Sequence, residues 1–119
     1  MIHFKEKEFY CCPNCDLGFK DMDEEFIIDL DLARHEAGVP FILASAIRCE
    51  KHNKEVGGSV TSTHPKGLAV DIACRTSHER YQILHGLKKA GFTRFGVYVD
   101  KKFIHVDSDP DKPERLIWG

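Results

Sequence analysis

A chain of 119 residues with 42% hydrophobic and 30% charged positions is long enough to bury one core and too apolar for disorder, so residues 1–119 read as a single domain. The net charge of -2 supplies no basic stripe, and no stretch reaches the length of a membrane span, so neither nucleic acid nor a membrane is expected as a partner. Five cysteines, an odd number, argue against the disulfide framework of a small secreted fold, and the start MIHFKEKEFY lacks the basic-then-apolar order of a secretion signal. Synthesis in the cytoplasm is therefore the expectation.

Three of the cysteines crowd into CCPNCD. Cys12-x2-Cys15 has the spacing of half a zinc knuckle, but no second Cys-x-x-Cys or histidine pair completes it, so the three are read as thiols in a turn, with a second metal site as the alternative. DMDEEFIIDLDLARHEAG predicts a helix: Phe26, Ile27, Leu30, Ala33 and Ala37 recur at helical spacing, Asp21 with Glu24 resembles a capping box, and Gly38 and Pro40 stop it. FILASAI reads as a short strand ending at Arg48. CEKHNKEVGGSVTST turns polar, a loop with one helical turn before Gly57 and Gly58, and long loops are where function is usually carried.

GLAVDIAC predicts the next strand, with Leu68, Val70 and Ile72 on one face and Ala69, Asp71 and Ala73 on the other. TSHERYQILHGLKKAG predicts a second helix, opened by Thr76, closed by Gly91 and turning Tyr81, Leu84 and Leu87 to the core. RFGVYVDKKFIHVD predicts a hairpin turning at Asp100, Lys101 and Lys102, with Phe103, His105 and Asp107 sharing a face. In the proline-broken tail, Leu116, Ile117 and Trp118 are expected to pack back onto the body. Cys49 and Cys74 read as packed small hydrophobes.

A carboxylate inside an apolar strand needs a partner. A catalytic zinc takes three protein ligands and keeps one position open, and His64, Asp71 and His105 supply such a set: one from a loop entering a strand, one from that strand's small-residue face, one from a hairpin strand that would lie about 5 Å away. The bland alternative is a hydrogen-bonded polar cluster without metal. His3, His35, His52, His78 and His85 are read as ordinary core or surface histidines.

The pieces SxHxxGxAxD (Ser62, His64, Gly67, Ala69, Asp71), a later HxD (His105, Asp107) and an upstream SxxR…HNxxVGG (Ser45, Arg48, His52, Asn53, Val56, Gly57, Gly58) occur in an order that resembles the zinc D-Ala-D-Ala peptidases, in particular their small single-domain branch from phage and bacterial cell-wall enzymes. The resemblance implies an α+β fold related to the Hedgehog amino-terminal domain, with a small, mostly antiparallel sheet flanked by helices. It also implies one zinc on His64, Asp71 and His105, and hydrolysis of peptide bonds next to D-amino acids in peptidoglycan; a monomer is expected. Arg48 would hold a substrate carboxylate or carbonyl, and Ser62 would orient His64 or touch substrate.

The pattern departs from the family in two places. Many members carry an acid three residues before the last histidine ligand, where this chain has Lys102, so the general base falls to Asp100 or Asp107, with Asp107 also suited to orienting an imidazole. The usual SGYR reads SAIR. Two non-enzymatic classes therefore stand beside the peptidase: a zinc-binding module without turnover, and a structural phage or cell-wall-associated protein of the same fold.

Overall fold

A computed structural model describes residues 3–119; the first two residues of the N-terminal stretch lie outside it. Among the described residues the fold is α+β, with three α-helices and one five-stranded sheet. In chain order these are α1 (Glu24–Ala37), β1 (Leu43–Ser45), α2 (Glu50–Glu55), β2 (Ala69–Ala73), α3 (Ser77–Lys89), β3 (Arg94–Tyr98), β4 (Phe103–Asp107) and β5 (Leu116–Trp118). A short 3-10 turn, His64–Lys66, precedes β2. Among the described residues, no helix is long and apolar enough to cross a membrane.

The expected apolar face of α1 is the buried one, Phe26, Ile27, Leu30, Ala33 and Ala37. Its N-cap is Asp23, whose carboxylate accepts from the Phe26 amide, while Asp21 accepts from Gly18 N one turn earlier. Gly38 ends the helix in the left-handed region at φ 69, where a side chain would be strained. In α3, Thr76 caps as expected by accepting from Glu79 N. The buried residues are Ile83, Gly86 and Leu87; Tyr81 stands 70% exposed and stacks on His85, because Ile83 and Leu87 define the inner stripe and position 81 lies outside it. Helices α1 and α3 pack together so closely at Gly86 that a Cβ there would meet the Ala33 carbonyl oxygen at 2.3 Å.

The sheet order is β1-β2-β4-β3-β5, antiparallel except for the parallel β3/β5 pair. Val70 and Ile72 of β2, Ile104 and Val106 of β4, and Phe95 of β3 join α1 and α3 in one core cluster. Residues paired across a ladder share a face, so the row Asp71, His105, Gly96, Trp118 runs across the opposite side. The expected strand 41–47 pairs only over Leu43–Ser45, where its register to β2 shifts, and Ala46 and Ile47 leave the ladder to enter the core. The tail returns as β5, held by backbone pairing: Leu116 and Ile117 are exposed, and Trp118 alone of the three is half-buried.

Candidate metal centre and cleft

Register brings the predicted donors together. Asp71 and His105 are direct partners in the β2/β4 ladder, and the turn before β2 delivers His64 beside them. His64 Nε2 lies 3.2 Å and His105 Nδ1 2.9 Å from Asp71 Oδ1, and one donor atom from each residue falls within 4.8 Å of the other two.

The outer edges of both imidazoles decide what their inner edges present. His64 Nδ1 donates to the Ala46 carbonyl at 2.7 Å, and a carbonyl can only accept, so that nitrogen carries a proton. His105 Nε2 donates to Asp107 Oδ2 at 2.7 Å, and Asp107 also accepts from Arg94 Nε at 2.7 Å. The inner nitrogens are then lone pairs aimed at a carboxylate unless a second proton or a cation lies between. Two nitrogens and one oxygen converging in this way, with each ring fixed from behind, form a donor set that fits a divalent zinc ion.

Electrostatics favours a charged Asp71. Burial opposes its charge, but the hydrogen bonds from His105 and His64 outweigh that cost and hold the carboxyl well below the usual carboxylate range. Asp107 behaves alike: desolvation is overcome by His105 and Arg94, leaving it at about 2. For His105, burial disfavours the imidazolium while Asp107 and Asp71 favour it, and the net direction is upward.

In front of the donors lies a cleft of about 410 Å³. Arg48 forms part of its wall, its guanidinium donating to Ser45 Oγ at 2.9 Å, Asn53 Oδ1 at 3.0 Å and Asp71 Oδ2 at 3.1 Å. Asn53 is itself tied to the Ser59 carbonyl, and a Cβ at Gly58 would strike Asn53 Oδ1 at 2.1 Å, so the Gly57-Gly58 step lets the loop close over this residue. Ser62 lines the cleft and its hydroxyl accepts from the His64 amide at 3.2 Å. Asp107 is at the back, buried against Arg94 and His105. Asp100 is exposed in the β3–β4 turn and borders a neighbouring depression that shares Tyr98 and Lys101 with the cleft.

Several contributors escaped the sequence reading. Arg94, whose guanidinium also donates to the Pro113 carbonyl, neutralises Asp107. Asp109 accepts from Thr63 Oγ1 and Lys66 Nζ, both at 2.9 Å, and so clamps the turn that carries His64 to the segment after β4. Trp118 Nε1 donates to the Tyr98 hydroxyl at 2.9 Å, which leaves the tyrosine's own proton available at the cleft. The available signal was strand parity: Arg94, Gly96 and Tyr98 alternate onto the face of His105.

No curated protein sequence matches the chain. A family model described as Peptidase M15 matches residues 2–107, which takes in all three converging donors, Arg48 and Ser62. The match spans most of the 119 residues, and the chain belongs to the peptidase M15 family of zinc D-Ala-D-Ala peptidases.

Proposed function

We propose that the protein is a zinc metallopeptidase that hydrolyses peptide bonds next to D-amino acids in peptidoglycan stem peptides or cross-links, acting as a monomer without nucleic acid or membrane. The observation that carries this reading is the convergence of His64 Nε2, Asp71 Oδ1 and His105 Nδ1 at the floor of a cleft, with both imidazoles proton-bearing on their far sides. These three residues would hold the zinc. When bound, the ion supplies Lewis acidity toward a scissile carbonyl and toward water.

The remaining steps belong to the chain's own groups. Four cationic side chains, Arg48, Arg94, Lys101 and Lys112, line the cleft against two carboxylates, Asp71 and Asp107, which suits an anionic peptide such as one ending in a free carboxylate. Arg48 would orient that peptide with the N–H groups left over from its three bonds. The Tyr98 hydroxyl would donate to the oxygen on which charge develops. Asp107 positions His105 and is too committed to Arg94 to accept a proton readily. Asp100, an exposed carboxylate on the neighbouring depression, next in sequence to the cleft-lining Lys101, is the group we assign to moving it.

One observation favours a second reading, a zinc-binding module without turnover: both carboxylates lining the cleft are already engaged. Purified protein assayed on defined muropeptides, with zinc and with chelator, separates the two. Release of D-alanine or cleavage of cross-linked dimers, lost on chelation and restored by zinc, is expected for the peptidase. A fully zinc-loaded protein that does neither is the binding module.

A further inference from the structure

A second cluster of donors lies outside the cleft. The Sγ atoms of Cys11, Cys12, Cys15 and Cys49 all fall within 4.8 Å of one another. Cys12 Sγ is 3.5 Å from Cys15 Sγ and 3.9 Å from Cys49 Sγ. Four sulfurs arranged tetrahedrally at a zinc–sulfur distance of about 2.3 Å stand about 3.8 Å apart, whereas a disulfide requires about 2.0 Å. All of these cysteines are free thiols.

Hydrophobic packing does not account for the arrangement. Cys74 shows what a merely packed cysteine looks like here: buried, apart from the others, its thiol directed at the Thr76 carbonyl. The four clustered cysteines include three that are only half-buried, yet their sulfurs share one centre. The backbone is arranged to serve them. The turn Cys12-Pro13-Asn14-Cys15 closes with Cys15 N donating to the Cys12 carbonyl. Cys49 N donates to Cys11 Sγ, and His52 N donates to Cys49 Sγ, both at 3.3 Å. Amide bonds to sulfur of this kind support thiolate charge at a metal site.

We propose that Cys11, Cys12, Cys15 and Cys49 bind a second zinc ion, in a structural site whose four corners are all protein sulfur. Each ligating thiol gives its proton to solvent as the metal binds, so no oxidant or reductant is needed. The site has a mechanical consequence for the cleft. Cys49 follows Arg48 directly and caps α2, and Asn53 of α2 holds the Arg48 guanidinium. The ion ties the N-terminal turn to the segment that fixes Arg48.

The test is metal analysis of the full chain purified under reducing conditions, followed by replacement of zinc with cobalt. Two equivalents per chain, thiolate-to-cobalt charge-transfer absorption and a sulfur shell at about 2.3 Å in zinc X-ray absorption are expected. C15S loses one equivalent together with the charge-transfer bands, Asp71→Ala keeps those bands, and Cys74→Ser keeps both ions. If C15S does not fold, the wild-type spectra decide alone. Wild-type protein with no sulfur shell and no charge-transfer bands, or with all four thiols reacting freely with a thiol reagent while zinc-loaded, overturns the proposal.

Discussion

The floor of the cleft and its rim are built by different means. On the floor, Asp71 and His105 sit opposite one another on interior strands, His64 is buried beside them, and each imidazole is fixed from behind by Ala46 or Asp107. At the rim, the parts are an exposed turn carrying Asp100 and Lys101, a loop on which Val60 is wholly exposed, and a tyrosine steadied by a tryptophan from the edge strand β5. Backbone register sets the floor to within the reach of a metal ion. Side-chain contacts from the chain's last strand and turns shape the rim. The contrast is a division of labour: the floor fixes the donor set, and the rim carries the groups that we assign to handling substrate and protons.

Breaking the floor has the largest expected effect. Asp71→Ala removes one of three donors and leaves Arg48 without its carboxylate, so the cleft zinc is lost and muropeptide hydrolysis falls to the level of chelated protein; metal analysis and turnover together check it. At the rim, Asp100→Asn should lower kcat by about 10²- to 10⁴-fold with zinc retained, as expected for loss of a proton-transfer group. Unchanged kcat in that variant removes Asp100 from the mechanism. Tyr98→Phe keeps the ring stacked on Phe103 and deletes the hydroxyl, both the donor at the cleft and the acceptor for Trp118 Nε1. It should cost roughly 10²-fold in kcat with little change in KM, the pattern of a bond formed in the transition state.

The same contrast explains how far the sequence could be read. The floor was legible because a strand's side chains alternate: Asp71 among Ala69 and Ala73, and His105 between Phe103 and Asp107, announce a polar face whatever the rest of the chain does. Helices α1 and α3 were legible for the same reason of period, although α1 takes Asp23 as its cap rather than Asp21 and α3 leaves Tyr81 in solvent. What stayed hidden depends on contacts between distant residues. Nothing local in LIW says that it will pair in parallel with β3 and bring Trp118 to Tyr98, with Gly96 leaving the space: a Cβ there would lie 2.7 Å from the Tyr98 ring and 2.8 Å from Trp118 Nε1. Likewise, Cys12-x2-Cys15 looked like half a motif because its fourth sulfur, Cys49, arrives from beyond α1 and β1.

The finest test concerns Asp107, which the sequence left between two roles. Its carboxylate accepts from both His105 Nε2 and Arg94 Nε and is almost wholly buried, so it fixes the ring and would keep the inner nitrogen's lone pair directed at the zinc proposed there. Asn at this position preserves the shape but weakens both bonds. Loss of such a support typically lowers metal affinity by about 10- to 100-fold. Asp107→Asn should therefore show reduced turnover at limiting zinc and recover most of it when zinc is raised to saturation, with KM nearly unchanged. A general base behaves otherwise, since added metal cannot replace a missing proton acceptor. A deficit that persists in the fully zinc-loaded variant would move the proton-transfer role from the rim to the floor.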